Sequence, residues 1–199
     1  MTFALTCSRG LAVALATVAI STMTAAAPTN AAPGPQYLPL TNPAFNQADL
    51  GPTARYVNVA VGNSFITGWT VTTGTVDLES AAWAKTGSPS QAVTLNGSSQ
   101  GGISQALPTT PGRRTTVTFR FGTETWDGCE INKDLRFTVS GTGADSEKVL
   151  NPGRPDKSNP HWKTGTYTFT AEDRISHLRF DSLVEGHCGA VITDVTAAG

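Results

Sequence analysis

Two cysteines in this sequence are flanked by polar and aromatic side chains that could recognise a ligand together. The flanking residues are Trp126, Asp127 and Glu130 around Cys129, and Glu185 and His187 before Cys188. A bond between the cysteines would hold their Cα atoms about 5.5–6 Å apart, so chain reach would keep the five side chains within roughly 15 Å of one another. An aromatic plate beside carboxylates suits a sugar, because the plate stacks on the apolar C–H face while carboxylates accept hydrogen bonds from hydroxyls. We interpret these loops as a candidate sugar site with Trp126 as its strongest candidate; a solvated disulfide loop is the structural alternative.

The same carboxylates admit a catalytic interpretation. Glu130 and Glu185 could be the acid and base of a glycosidase, whose carboxyl groups lie about 5–9.5 Å apart depending on mechanism. His187 with Asp127 could polarise a nucleophile, but no serine or cysteine stands in a setting such as Gly-x-Ser-x-Gly. The sequence also contains no phosphate-binding loop, HExxH or EF-hand pattern. These observations favour binding over catalysis.

The N-terminal residues predict export from the cell. Residues 1–32 begin with a short region containing Arg9, continue with an apolar run from Leu11 to Ile20, and end in small residues. This order is typical of a secretory signal peptide, and the apolar run is too short to span a bilayer of ~30 Å as a helix. No second run of membrane length follows. We therefore expect a secreted, extracellular protein without a membrane span.

Cysteine usage agrees with that compartment. Cys7 would leave with the signal peptide, so Cys129 and Cys188 would be the two cysteines of the mature chain. A disulfide between them is the default in an exported protein. Two free thiols or a metal site are the alternatives, although neither cysteine has a second cysteine at metal-ligand spacing.

The length and composition of the chain indicate one domain with few charged residues. Removing the signal peptide leaves about 170 residues, which suits one domain. We divide this part into a proline-rich lead-in at 33–43, expected to be extended and weakly ordered, and a domain at 44–199. Charged residues make up 15% of the chain and the formal net charge is -1. No basic surface for nucleic acid or anionic lipid is indicated, and we expect a monomer.

Alternating apolar residues predict short strands from residue 64 onwards. Val117, Phe119 and Phe121 alternate with polar residues, and Leu135, Phe137 and Val139 repeat the pattern. About ten such runs without a helical period predict an all-β fold, an antiparallel β-sandwich. Its core should contain four phenylalanines: Phe119, Phe137, Phe169 and Phe180.

Residues 91–107 predict a central β-hairpin. Val93 and Leu95 form one alternating run, Asn96-Gly97 forms a turn, and residues 103–107 form a second run. The polar loop that begins at Asn96 is a second candidate ligand contact. Trp83 lies between predicted strands, where a loop could also meet a ligand, whereas Trp69 and Trp162 are expected to pack in the protein interior.

The string VTLNGSSQGGISQALPTTPG at 93–112 resembles the signature segment of the choice-of-anchor C family of bacterial secreted proteins. That family is related to the plant cell-wall proteins of domain of unknown function 642. Further similarities are Ile66-Thr67-Gly68-Trp69, Val76-Asp77-Leu78, Trp83, Trp162 before Tyr167-Thr168-Phe169-Thr170-Ala171, and Ile192-Thr193-Asp194-Val195. The resemblance therefore runs from about 66 to 195. It implies a galactose-binding-like jelly roll outside the cell with a polysaccharide or oligosaccharide as partner. It implies no settled biochemical activity.

The resemblance also raises two further expectations. Galactose-binding-like modules often carry a structural calcium between the first and last strands, and Asp194 matches the closing acidic motif. Thr193 replaces one acid of that motif, and the segment at 42–46 lacks the expected opening glutamate. A secreted wall-modifying enzyme is the alternative partner, which would make the protein an interaction module.

Overall fold

Two antiparallel sheets organise the protein. The computed structural model describes residues 34, 36–125, 128–129, 133–142, 146–154 and 156–199. In this part of the chain the strands are β1 Tyr56–Ala60, β2 Thr70–Thr73, β3 Thr75–Glu79, β4 Ala92–Thr94, β5 Gly102–Pro108, β6 Arg114–Thr123, β7 Leu135–Ser140, β8 Ser146–Leu150, β9 Lys163–Thr170, β10 Ile175–Ser182 and β11 Ala190–Ala198. Among the described residues, none forms a helix long and apolar enough to cross a membrane.

The strand order is that of a jelly roll with additional strands. One sheet has the order β1-β3-β4-β11-β6-β9, and the other has the order β2-β5-β10-β7-β8. The eight strands from β4 to β11 pair in a nested order: β4 pairs with β11, β5 pairs with β10, and β6 pairs with both β11 and β9. This is the nested pairing of a jelly roll. The predicted antiparallel β-sandwich is therefore confirmed.

The space between the sheets is filled by the apolar sides of the alternating runs. The ring centroids of Phe119, Phe137 and Phe180 lie 4.7 to 5.0 Å apart in pairs, within the usual range for interacting aromatic rings. All four predicted core phenylalanines are buried. Trp69 is buried against Phe45 and Phe180, as its expected packing role requires.

The predicted central hairpin is wrong. Strand β4 pairs with β3 and β11, whereas β5 pairs with β2 and β10 in the opposite sheet. The turn itself is present, because Asn96 forms a bridge with Gln100 and the Gly101 amide donates to the Leu95 carbonyl at 2.9 Å. The segment at 96–101 thus crosses from one sheet to the other. β4 and β5 both turn apolar side chains towards the core, and each pairs with a strand far along the chain.

Residues 36–43 follow the last strand. The Leu38 amide donates to the Ala197 carbonyl at 2.8 Å, and the Val195 amide donates to the Pro43 carbonyl at 2.9 Å. The Leu38 side chain also packs against the core. The prolines of this lead-in predicted a weakly ordered stretch; the hydrogen bonds to β11 attach it to the six-stranded sheet instead.

Candidate functional site

A cavity of about 400 Å³ opens on the outer face of the six-stranded sheet, near β1 and β3. Alternation in these two strands turns Val57, Val59, Val76 and Leu78 towards the core and the intervening side chains outwards. Tyr56 lies opposite Glu79, and Asn58 lies opposite Asp77. These four outward side chains form the strand side of the cavity. The remaining wall comes from loops.

The loops bring together residues from both halves of the sequence. Trp83 follows β3, Gly97 and Ser98 follow β4, Glu124 follows β6, and His187 precedes β11; all line the cavity. The loop at Trp83 and the disulfide loop were two alternative sites in the sequence. The structure places them around one cavity.

Trp83 has a defined position in a tight turn. Its amide donates to Ser80 Oγ at 3.3 Å, and the Ala84 amide donates to the Ser80 carbonyl at 2.9 Å. The Arg55 guanidinium lies over the indole, 5.0 Å from the ring centroid, a cation–π distance. The ring is half-buried. The cavity therefore has a positioned aromatic side chain beside the exposed Tyr56.

Two carboxyl groups in the cavity wall are almost fully buried. Glu79 is 3% exposed, and its Oε1 accepts from Thr94 Oγ1 at 2.6 Å. Burial, reinforced by the nearby charge of Glu124, raises the pKa of Glu79 to about 8. Glu124 is 6% exposed and accepts from the Gly189 amide at 3.2 Å. Burial raises the pKa of Glu124 to about 7, although the Lys133 ammonium at 4.0 Å opposes that shift.

The third carboxyl group is more accessible. Asp77 is half-buried, and its Oδ1 accepts from Asn58 Nδ2 at 2.7 Å. Burial raises the pKa of Asp77, and this hydrogen bond partly offsets the rise. Asp77, Glu79 and Glu124 together form what we call the acidic wall of the cavity. Such a wall can donate hydrogen bonds where it is protonated and accept them where it is ionised.

The Cys129–Cys188 disulfide is formed in the structure. A ring nitrogen of His187 lies within 4.8 Å of both sulfur atoms. The bond thus fixes the chain directly after His187, a residue of the cavity wall. The sulfurs are bonded to each other, so the alternatives of free thiols or a metal site do not apply in this structure.

Asn96 does not line the cavity but holds two of its loops together. Its side chain is fully buried, and Nδ2 donates to the carbonyls of Val184 and Gly186 at 2.8 Å each. These bonds join the loop after β4 to the disulfide loop. The sequence singled out Asn96 as a ligand contact; the structure gives its side chain a positioning role.

The other sequence-predicted residues have different outcomes. Glu185 is exposed and is not part of the cavity wall. Trp126, Asp127 and Glu130 lie outside the described residues, so their contacts with a ligand stay predictions. Sequence reasoning missed the acidic wall and Tyr56, because outward acids in an alternating strand normally face solvent. The signal in the sequence was the turn at Trp83, which is rich in small residues and indicated a loop beside these strands.

Asp194 lies in an ion pair. Its Oδ2 accepts from Arg120 Nη1 at 3.1 Å, and its Oδ1 accepts from Ser90 Oγ at 2.5 Å. A guanidinium at this distance opposes a divalent cation electrostatically, so this donor set does not fit calcium. Calcium binding by the protein stays untested.

A second cavity lies farther along the same outer face. It has a volume of about 560 Å³ and is lined by Thr116, Thr118 and Tyr37, among others. The Tyr37 side chain is 75% exposed. This cavity lacks the buried carboxyl groups of the first and provides an internal comparison for it.

The fold and site define a jelly-roll sandwich with a loop-covered polar cavity on one sheet. Residues 38–198 match the family described as Protein of unknown function (DUF642), so the chain belongs to this family. Among curated proteins, none matches the sequence. The family assignment covers the sandwich and both cavities.

Several solved structures are similar in fold. TmCBM61, solved in complex with beta-1,4-galactotriose, has a TM-score of 0.47 at 15% identity and covers 79% of this chain and 95% of its own. A family 35 carbohydrate binding module from Clostridium thermocellum has a TM-score of 0.46 at 13% identity and covers 71% and 97%. The CBM22-1 xylan-binding domain of Paenibacillus barcinonensis Xyn10C has a TM-score of 0.46 at 15% identity and covers 71% and 92%.

Proposed function

We propose that this protein is a secreted, non-catalytic carbohydrate-binding module that holds a sugar in the cavity beside the acidic wall. The observation that carries the proposal is the meeting of Trp83 and Tyr56 with hydrogen-bonding side chains in one cavity of about 400 Å³. An aromatic face can stack on the C–H face of a sugar, and the polar side chains can bind its hydroxyls. The volume lies in the range of small-molecule sites.

Export and the bacterial relation belong to the same proposal. The signal-peptide pattern at 1–32 supports secretion, and the disulfide agrees with an oxidising compartment. Membership of the choice-of-anchor C group of secreted proteins is supported by the sequence resemblance. N-terminal sequencing of protein recovered from the culture medium tests the export step; an N-terminus at Met1 would contradict it.

The test of binding uses the secreted protein and a panel of insoluble polysaccharides, including cellulose, xylan and galactan. Trp83→Ala should weaken binding by about 1–3 kcal/mol, the scale of a central aromatic anchor. Tyr37→Ala is the matched control, because it removes an exposed aromatic side chain from the second cavity. Binding that is lost with Tyr37→Ala and retained with Trp83→Ala would move the site to that cavity.

Trp126→Ala extends the same test to the disulfide loop. The sequence interpretation expects a loss of about 1–3 kcal/mol here too, with little change in the melting temperature. Loss of binding with Trp126→Ala alone would place the ligand beyond the cavity described above.

A glycoside-active enzyme is the second candidate, favoured by one observation. Glu79 and Glu124 are buried carboxyl groups with raised pKa values in one cavity, and a carboxyl group kept protonated near neutral pH is what a glycosidase uses as its acid. A reducing-sugar assay on the same polysaccharides separates the candidates. Release of sugar that is lost in Glu124→Gln would favour the enzyme, and co-purification with a secreted enzyme without glycan binding would favour the interaction module.

A further inference from the structure

The charges around the cavity are distributed unevenly. The ionisable side chains of its described wall are the three carboxyl groups of the acidic wall, His187 and Tyr56, and no lysine or arginine lines it. Lys133 is fully buried behind Glu124, so its ammonium group compensates that carboxyl group without reaching the cavity. The Arg55 guanidinium lies over the Trp83 ring but is not a lining residue, so carboxyl groups dominate the charge of the described wall itself.

The most buried of these acids is Glu79, which lines the cavity while 97% of its surface is buried. Its Oε1 accepts a hydrogen bond from Thr94. A ligand hydroxyl that reaches this carboxyl group can hydrogen bond to it.

The chemistry of the acidic wall decides which ligand groups suit the cavity. A hydroxyl can accept from a protonated carboxyl group and can donate to an ionised one. It therefore satisfies the wall in either protonation state. A ligand carboxylate only accepts, and at neutral pH it would add a second negative charge beside Asp77 in a partly enclosed site, where like charges repel strongly.

We propose that the cavity binds uncharged sugars and rejects sugars that carry a carboxylate, such as uronic acids. This inference rests on the proposed function and narrows its substrate class. The acidic wall acts as the charge filter, while Trp83 and Tyr56 provide contact surface that does not distinguish the two classes.

Matched pairs of oligosaccharides test the filter. The probes are cellotetraose and β-1,4-galactotetraose, each compared with the same compound after oxidation of its C6 hydroxymethyl groups to carboxylates. Calorimetric titration at pH 7 and low salt should give about tenfold or greater preference for the uncharged member of a pair. The preference should shrink as salt is raised, because salt screens partly exposed charges.

The outcomes separate this inference from the proposed function. Equal or tighter binding of an oxidised member would overturn the charge filter and leave carbohydrate binding intact. Failure of all four compounds, together with failure of the polysaccharide panel, would overturn the proposed function and the filter together.

Two isosteric variants locate the filter in the acidic wall. Asp77→Asn and Glu79→Gln keep the side-chain shapes, and the new amide oxygens can still accept from Asn58 and Thr94. At pH 7, Asp77→Asn should reduce the preference for the uncharged member by about three- to tenfold. Glu79→Gln should change it little, because a pKa of about 8 keeps Glu79 mostly protonated at that pH. Glu172→Gln, which removes an exposed acid outside the cavity wall, should leave the preference unchanged. An unchanged preference in Asp77→Asn, with a native circular dichroism spectrum, would refute the assignment.

Discussion

The inner and outer faces of the six-stranded sheet are both buried near β3, but for different reasons. On the inner face, Val76 and Leu78 are covered by the opposite sheet. On the outer face, Glu79 is 3% exposed because loops from distant parts of the chain surround it. Alternation of residue type therefore marks two faces of a strand without telling which of them is exposed.

The comparison predicts that the core between the two sheets dominates stability. Phe137→Ala should lower the free energy of unfolding by about 3–5 kcal/mol, since it removes a fully buried ring that contacts Phe119 and Phe180. Chemical denaturation measures the change. Val149→Ala, in the neighbouring strand, is the control because Val149 is exposed. A loss below 1 kcal/mol for Phe137→Ala would mean that the space between the sheets is not the core.

The disulfide connects stability with the outer face. Replacing Cys129 and Cys188 together by serine opens a loop with a sequence separation of 59 residues, and the chain-entropy estimate for such a loop is roughly 4 kcal/mol. Unfolding of the oxidised and the double-serine proteins gives the difference. Sugar affinity should fall as well, because His187 loses its restraint. Detection of free thiols in denatured, unreduced wild-type protein would contradict the pairing.

The buried acid should make stability depend on pH. The folded-state pKa of Glu79 is about 8, above its ordinary value of 4.5, so the folded state holds the proton more tightly than the unfolded state. The contribution of this carboxyl group therefore declines as pH rises from about 4.5 to about 8. Glu79→Gln should match wild type near pH 4.5 and be more stable by about 4 kcal/mol at pH 8.

Urea denaturation across that pH range measures the difference between Glu79→Gln and wild type. Glu172→Gln should give a difference that does not vary with pH over the same interval. Greater stability of the wild type at pH 8 would show that Glu79 is ionised and paired in the folded protein.

The smallest effect is expected at Asn96. Asn96→Ala removes two hydrogen bonds to the disulfide loop and leaves the carbonyls of Val184 and Gly186 without that donor. We expect a loss of about 1–2 kcal/mol in unfolding free energy, with a further decrease in sugar affinity. Hydrogen exchange of the amides at 184–187 should increase. Unchanged exchange there would argue against the positioning role.

Local patterns sufficed for the sandwich and much of its core. Phe119 and Phe137 lie in clear alternating runs, and the two cysteines outside the predicted signal peptide allow one pairing. The Asn96-Gly97 turn was also readable. The pairing of the strands on either side of this turn could not be predicted. β4 pairs with β11 and β5 pairs with β10, and both of these partners lie much later in the chain.

The cavity shows the same limit. Trp83 and His187 were singled out from their sequence surroundings, and both line it. Asp77 and Glu79 look like ordinary outward residues of a strand. Their burial arises from loops that converge in space, and Asn96 joins two of these loops across 88 and 90 residues of sequence.

The position of β11 sets the order in which the domain can assemble as it is made. This strand lies between β4 and β6 and also holds the lead-in, yet it follows all of these partners in the sequence. Until the ribosome has produced it, β4 and β6 lack the strand that joins them and each has an unpaired edge. The six-stranded sheet therefore cannot be completed before the last strand of the domain has been translated.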